Sequence, residues 1–283
     1  MTTHLLLRTP DDVREAVRQA RAQGKTVGVV MTMGALHDGH LSLVSAAADR
    51  CDFVIVTIFV NPSQFGPDED FDAYPRTLDD DLACLSQLPV DLVFAPLAGD
   101  IYPEGFTTEV AAPAVALPLE GEHRPSHFAG VCTVVLKLLN LTEADQAFFG
   151  KKDYQQYLVI RDMVRDLNVP VDVIGCDTRR EADGLAMSSR NAYLTAEERH
   201  AALAIPQALS KAAELVDASE RRPQVIEQAM RERLAGPSIK LDYAVVVDAD
   251  TLQPIQKIDR PVLAAIAAHV GSTRLIDNRV LTP

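Results

Sequence analysis

Long runs of apolar residues, uninterrupted by alternating polar residues, mark the first half of the chain. These runs occupy residues 26–33 and 52–60, and they predict strands that are covered on both faces, as in a parallel sheet. Helix-like segments at residues 10–23 and 39–49 precede and separate the two strands. This βαβ order predicts parallel strands joined by right-handed crossovers.

The same pattern continues to residue 176 and then changes. Further helices are predicted over residues 76–87, 128–141 and 153–166, and further strands over residues 91–95, 144–149 and 171–176. Beyond them, Ala-rich helices over residues 196–216 and 223–234 precede short strands over residues 243–247 and 262–267. We therefore expect an α/β domain over residues 1–178 and a smaller α+β domain over residues 179–283.

Net charge, cysteine spacing and the length of apolar stretches indicate the class of partner and the cellular compartment. The chain has 40 acidic residues against 27 Lys and Arg, and its net charge of −13 disfavours duplex nucleic acid and anionic membranes as partners. Its four cysteines are scattered without a CxxC pair, which is typical of reduced thiols. No apolar stretch approaches the roughly 20 residues that span a bilayer. We expect a cytoplasmic protein that acts on small molecules.

An HxGH motif, His37-Asp38-Gly39-His40, stands directly after the first buried strand and before a helix. Glycines at such a turn let the backbone approach a phosphate, and the start of a helix offers unpaired N–H groups and a positive dipole end. The motif therefore indicates nucleotide chemistry at the α-phosphate. Two half-exposed polar histidines without a function would give the same four letters. The Walker and GxGxxG signatures are absent, so neither explains a nucleotide site.

Other polar segments follow the strands, and the carboxyl ends of parallel strands are where ligands bind. The segment Asn61 to Gly66 begins a long turn-rich loop, and Gly150-Lys151-Lys152-Asp153 can neutralise a phosphate. Met187-Ser188-Ser189-Arg190 offers hydroxyls and a cation suited to pyrophosphate, in a cleft between the two domains. A surface loop, a helix cap and a solvated arginine are the ordinary alternatives. The paired histidines at 37/40 and 123/127 lack a convincing third ligand, which disfavours zinc.

Six ordered segments carry a resemblance to a known family: TMGALHDGH, IFVNPSQFG, FDAYPRT, RPSHFAGV, FFGKKDYQQ and DGLAMSSRNAYL. In this order and spacing they resemble the pantoate-beta-alanine ligase family of HxGH nucleotidylyltransferases over nearly the full chain. The resemblance implies a Rossmann-like domain, a smaller C-terminal domain, and a homodimer. It also implies the ATP- and Mg²⁺-dependent condensation of pantoate with β-alanine to pantothenate, with AMP and pyrophosphate released, through a noncovalent pantoyl adenylate.

The resemblance also assigns roles to individual residues. ATP would be bound by Met33, Gly34, Ala35, Leu36, His37, Asp38, Gly39, His40, Gly150, Lys151, Lys152, Asp153, Arg179, Met187, Ser188, Ser189 and Arg190. The catalytic residues among them would be His37, His40, Lys152 and Arg190. Pantoate would be held by Gln64 and Gln156, and β-alanine by Gln64 and Tyr74. Asp80 and Asp81 would reach Mg²⁺ through the pyrophosphate.

Four positions depart from the family pattern. Met31 replaces the usual Pro, Ser63 the usual Met, Lys151 an acidic or amide residue, and Arg179 an aliphatic residue. The departures affect the shape of the pocket and leave the reaction class unchanged. Two other interpretations stay open from the residues alone: an HxGH nucleotidylyltransferase with a different product, and an adenine-nucleotide sensor without catalytic activity.

Overall fold

A computed structural model describes residues 4–67 and 69–283 of the chain, which fall into two compact units. The first unit comprises the described residues up to Lys151 together with residues 156–177. The second comprises residues 152–155 together with residues 178–283. The segment 152–155 thus groups with the C-terminal residues, whereas the sequence gives no sign of this insertion.

The first unit is built on a six-stranded parallel sheet with the order β1-β4-β3-β2-β5-β6. The strands are β1 (Leu5–Leu7), β2 (Val27–Thr32), β3 (Phe53–Ile58), β4 (Leu92–Phe94), β5 (Gln146–Gly150) and β6 (Asp172–Cys176). From β2 the chain runs outward through β3 to β4, and it later returns to place β5 on the other side of β2. The carboxyl ends of β2 and β5 therefore flank a topological switch point, where parallel sheets bind ligands.

Helices connect these strands. They are α1 (Pro10–Ala22), α2 (Asp38–Ala48), α3 (Leu78–Leu85), α4 (Ala98–Ile101), α5 (Glu120–His123), α6 (His127–Thr142) and α7 (Tyr154–Asp166). Helix α2 packs Leu43, Val44 and Ala47 into a core with Val54, Val56 and Phe148 of the sheet. This packing fixes the start of α2, which carries the HxGH motif, relative to the strands. No helix among the described residues is long and apolar enough to cross a membrane.

The second unit packs helices on one antiparallel sheet of three strands in the order β7-β8-β9. Its elements are α8 (Ala196–Ala202), α9 (Ala204–Asp217), α10 (Pro223–Leu234), β7 (Ile239–Asp248), β8 (Val262–Val270) and β9 (Thr273–Leu281). Its core joins apolar residues of α9 and α10 to the sheet. The predicted fold class, a Rossmann-like α/β sheet followed by a smaller α+β unit, is confirmed.

One predicted helix is wrong, and two strands were not predicted. The segment 196–216 forms two helices, α8 and α9, separated at Leu203. Pro206 explains the break, because it has no N–H to donate to the carbonyl four residues earlier. The unpredicted strands are β1, a short edge strand, and β9, whose alternating burial is obscured in the sequence by charged residues.

Candidate functional site

The loop between β2 and α2 turns through two consecutive residues with positive φ, Gly34 at 83° and Ala35 at 50°. Thr32 stabilises its start, because the hydroxyl donates to the Thr57 carbonyl (2.8 Å) and accepts from the Gly34 N–H (3.2 Å). A Cβ atom at Gly34 would lie 2.9 Å from a carboxylate oxygen of Asp81. Glycine is therefore required here by both the backbone conformation and the space.

Asp81 of α3 stabilises the same loop by accepting hydrogen bonds from its backbone. It is buried, with 2% of its surface exposed, and its two oxygens accept from the N–H groups of Ala35 (3.1 Å) and Leu36 (2.8 Å). Burial raises the pKa of this carboxyl, although the backbone hydrogen bonds act in the opposite direction. The structure thus gives Asp81 a role in positioning the loop. Its neighbour Asp80 is exposed.

The two imidazoles of the motif are oriented by backbone donors. His37 caps α2, with Nδ1 accepting from the Gly39 N–H (3.1 Å), and His40 Nδ1 accepts from the His37 N–H (3.4 Å). Because a backbone N–H only donates, both Nδ1 atoms are unprotonated, and each neutral ring carries its proton on Nε2. The ring centroids are 4.1 Å apart. Two Nε2–H donors at the start of a helix suit an anion.

The loop after β3 places Gln64 beside the HxGH loop. Asn61, which is 1% exposed, donates from Nδ2 to Gln64 Oε1 (3.1 Å) and accepts from the Tyr102 hydroxyl (2.8 Å). The Nε2 atom of Gln64 lies 3.1 Å from Met33 Sδ. Two segments that are well separated in the sequence therefore meet at the carboxyl ends of β2 and β3. Sequence reasoning missed the supporting roles of Asn61 and Tyr102.

A buried histidine supports Gln64 from α6. His127 Nδ1 lies 2.9 Å from the Gln64 carbonyl oxygen, so this nitrogen must carry the proton and donate it. Arg124 also donates to that oxygen (3.4 Å) and forms a two-point ion pair with Glu69 at 2.6 Å. Burial lowers the pKa of His127 to about 4, and the nearby Arg124 acts in the same direction. His127 is therefore neutral at physiological pH.

We expect His127 to make the stability of the protein depend on pH. The unfolded chain takes up a proton here near pH 6.5, but the folded protein does so only near pH 4. Since the unfolded state binds more protons in this window, the free energy of unfolding should fall by up to about 3 kcal/mol as the pH drops through it. Urea unfolding at pH 7.5 and pH 4.5 measures the loss. The loss of stability between the two pH values should be smaller in His127→Gln than in the wild type, and unchanged in His200→Gln, which replaces an exposed histidine. Equal losses in the wild type and both variants would contradict the assignment.

The two consecutive lysines after β5 have different surroundings. Lys151 is the last residue of the first segment of the first unit, and its Nζ lies 3.1 Å from a carboxylate oxygen of Asp177. Its side chain packs on Gly175, where an added Cβ would lie 2.9 Å from Lys151 Cε. Lys152 belongs to the second unit, where its side chain is 20% exposed and its Nζ lies 3.4 Å from Asp153. Its backbone carbonyl accepts from Asn278 Nδ2 of β9 (2.7 Å).

The segment with Ser188 and Arg190 is also held within the second unit. Ser188 begins a short 3₁₀ turn, Ser189–Tyr193, and accepts from the Arg190 N–H (3.3 Å). Within this turn, buried Asn191 donates to Glu181 (2.6 Å) and to the Ala186 carbonyl (3.0 Å). These contacts give the segment a fixed backbone.

The remaining predicted residues have varied surroundings. Arg179 is exposed, and its backbone carbonyl accepts from the Met187 N–H (3.0 Å). Tyr74, which the resemblance assigns to β-alanine, is buried, and its ring packs edge-on against that of Phe65 with the centroids 5.9 Å apart. Gln156 is half-buried in the first turns of α7. Within the first unit, the loop from Met33 to His40 thus lies beside Gln64. Gly150 ends β5, the strand paired with β2.

Known proteins resemble this chain over nearly its whole length. A family model described as pantoate-beta-alanine ligase matches residues 5–280. A pantothenate synthetase from Moorella thermoacetica is 51% identical over 277 residues, which are 98% of this chain and 98% of that protein. The crystal structure of pantothenate synthetase from Thermus thermophilus aligns with a TM-score of 0.94 and 42% identity, covering 99% of this chain and 100% of that one.

A third similar structure contains ligands. It is a pantoate-beta-alanine ligase from Francisella tularensis complexed with beta-gamma ATP and β-alanine, with a TM-score of 0.81 and 34% identity. The alignment covers 98% of this chain and 98% of that chain. The similarity therefore extends through both units.

Proposed function

The chain belongs to the pantoate-beta-alanine ligase family, and from this premise we propose how its residues condense pantoate with β-alanine at the expense of ATP. One observation carries the proposal. The two imidazoles of the HxGH motif are held by backbone N–H groups as Nε2–H donors at the start of α2, and Gln64 lies beside the same loop. A phosphate and a hydroxy acid are the ligands that these groups suit.

In the first step, a carboxylate oxygen of pantoate attacks the α-phosphorus of ATP. The new P–O bond forms as the bond from the α-phosphorus to the bridging oxygen breaks, and pyrophosphate leaves with the electron pair. We assign to His37 and His40 the stabilisation of the charge that develops on the α-phosphate. Lys152 and Arg190 neutralise the departing pyrophosphate. Gln64 and Gln156 hold pantoate.

In the second step, the amine of β-alanine attacks the acyl carbon of pantoyl adenylate. The amide bond forms, AMP leaves with the electron pair of the acyl–oxygen bond, and the amine loses a proton. Gln64 and Tyr74 are proposed to orient β-alanine. This route needs no covalent intermediate with the protein. Burial raises the pKa of Cys132 to about 12, so that thiol is not a nucleophile.

Mg²⁺ enters this scheme with its substrate, as MgATP. Among the described residues no group of three or more His, Cys, Asp or Glu side chains is arranged to hold a metal ion. The two oxygens of Asp81 already accept backbone N–H groups, and Asp80 is exposed. We therefore propose that Mg²⁺ is carried by the triphosphate, with Asp80 as the available carboxylate. A homodimer and a cytoplasmic location stay predictions from the sequence.

Isotope exchange between pyrophosphate and ATP tests the function. The proposal requires exchange that depends on pantoate, followed by amide formation that depends on β-alanine. Exchange that requires a different acceptor would indicate another HxGH nucleotidylyltransferase. ATP binding without any exchange would indicate a nucleotide sensor.

Gln156→Ala is expected to weaken pantoate capture much more than ATP binding. The side chain is proposed to hydrogen-bond pantoate alone, and a lost hydrogen bond of about 1.5 kcal/mol corresponds to roughly a tenfold rise in KM. Steady-state kinetics with varied pantoate, beside direct ATP binding, measure both effects. Equal losses for the two substrates would contradict the assignment and indicate a disturbed fold.

Asp81→Asn and Asp80→Asn should separate loop positioning from metal binding. Asparagine at 81 keeps one acceptor oxygen, so one of two loop N–H groups loses its partner, at a cost of about 1–3 kcal/mol in stability. We expect a lower turnover and an unchanged requirement for Mg²⁺. Asp80→Asn should leave the stability unchanged. An Asp81→Asn protein with wild-type stability and a raised Mg²⁺ requirement would instead identify Asp81 as a metal ligand.

A further inference from the structure

We propose that Asn278 of β9 is a positioning residue for Lys152 in the adenylation step. The inference rests on the proposed function and adds a residue from the C-terminal sheet, where the sequence indicates no motif of the site. The observation is the hydrogen bond from Asn278 Nδ2 to the Lys152 carbonyl oxygen, at 2.7 Å. The two residues are 126 positions apart in the sequence and belong to the same unit.

The strand that carries Asn278 is well fixed. Asn278 is paired with Ala265 of β8, a strand of which almost every residue is buried. On one side of it, Asp277 is 3% exposed and makes a two-point ion pair with Arg180, at 2.7 and 3.0 Å. Asp277 also accepts the Asn278 N–H (2.8 Å). Only the carboxylate of this pair is buried, but a two-point ion pair fixes geometry because both hydrogen bonds must be made together.

Arg180 links this strand to a second candidate segment. Its guanidinium donates to the Gly184 carbonyl (3.1 Å), and its backbone forms a β-bridge with Ala186. The next residues along the chain lead directly to Ser188 and Arg190. Side chains of adjacent residues on a strand point to opposite faces of the sheet. Asp277 can therefore bind the Arg180 guanidinium while the next residue, Asn278, binds the Lys152 carbonyl.

This arrangement sets the position of the Lys152 ammonium. A lysine stem has four flexible carbons, and only an anchored backbone restricts the region that its ammonium samples. An error of about 1 Å in the position of a catalytic group can cost about 10²-fold in rate. Lys152 lies in a short 3₁₀ turn, Lys151–Asp153, between β5 and α7, and its backbone is held by a further restraint from outside this segment. Asn278 supplies it through the hydrogen bond to the carbonyl.

Single-turnover formation of pantoyl adenylate tests the proposal. Asn278→Asp keeps the size but replaces the amide donor with a carboxylate, and Asn278→Ala removes the donor without introducing a charge. Both should slow adenylate formation at least about tenfold, with the KM for pantoate and the rate of amide formation from preformed adenylate unchanged. Arg279→Gln, an exposed neighbour on the same strand, is the matched control and should behave like the wild type.

A double-mutant cycle distinguishes positioning from general damage. If Asn278 acts through Lys152, adding Asn278→Ala to Lys152→Ala should slow the reaction by less than about twofold more. Wild-type adenylation in both Asn278 variants, or losses that multiply fully in the double variant, would overturn the proposal. Thermal unfolding shows whether the variants stay folded. Failure of the proposed function is a separate result, since the wild-type protein would then lack pantoate-dependent exchange.

Discussion

His40→Ala is expected to slow pantoyl-adenylate formation at least about 100-fold, the scale of losing one preorganised donor to a transition state. The backbone N–H of His37 binds His40 Nδ1, which leaves the proton on Nε2 and fixes the plane of the ring. The donor is therefore in place before the substrate arrives. Single-turnover measurement with saturating ATP and pantoate gives the rate, and a denaturant titration confirms that the protein is folded.

Two further variants identify which atom of His40 matters. His40→Asn keeps an acceptor near the position of Nδ1 but lacks Nε2, so it should be as slow as His40→Ala. The exposed His200→Ala on α8 should have wild-type activity. A near-normal rate in His40→Asn would show that the histidine only stabilises the loop, and the assignment of the α-phosphate to this ring would fail.

The parts of the fold that the sequence predicted are those fixed by local pattern. Strands β2 and β3 are continuous apolar runs, and α2 begins at the HxGH motif within one residue of its expected start. Motif order was equally informative about the family. These features depend on residues adjacent in the chain, for which periodicity and turn chemistry are direct physical signals.

Features that depend on distant pairs could not be predicted. The return of β5 to the side of β2 creates the switch point, yet nothing in the sequence of either strand specifies that neighbour. Strand β9 contains charged residues whose partners lie elsewhere, as in the Asp277–Arg180 ion pair, and its pattern therefore does not indicate a half-buried strand. In the sequence, Asp81 is one of three consecutive acidic residues that would all be expected in solvent. Only the structure shows that its carboxylate binds the loop after β2.

The same limit applies to the chemistry of the site. In the sequence Lys151 and Lys152 look alike, as a pair of cations after a strand. In the structure Lys151 is paired with exposed Asp177, and Lys152 has its carbonyl bound by Asn278. His127 stands in the sequence only as one of two nearby histidines, but burial keeps it neutral and it donates to the Gln64 carbonyl. Burial and partners, which the sequence does not contain, determine these roles.

Lys152→Ala is expected to slow adenylate formation at least about 100-fold, because the pyrophosphate would leave without one of the two cationic side chains proposed to neutralise it. The variant keeps the backbone carbonyl that Asn278 binds, so the local fold should persist. ATP binding should weaken much less than the rate falls, since the charge on the leaving group grows in the transition state. Rapid-quench measurement of adenylate and equilibrium binding of ATP give the two quantities.

Lys151→Ala is the matched control for this variant. Stabilisation of the leaving group is proposed for Lys152 and not for Lys151, whose ammonium lies 3.1 Å from the exposed Asp177 carboxylate, so removing the Lys151 side chain should slow adenylate formation less than about tenfold. A comparable loss in both variants would mean that the site responds to total positive charge and not to one placed ammonium. A near-normal rate in Lys152→Ala would remove Lys152 from the mechanism, and with it the reason for anchoring its backbone to β9.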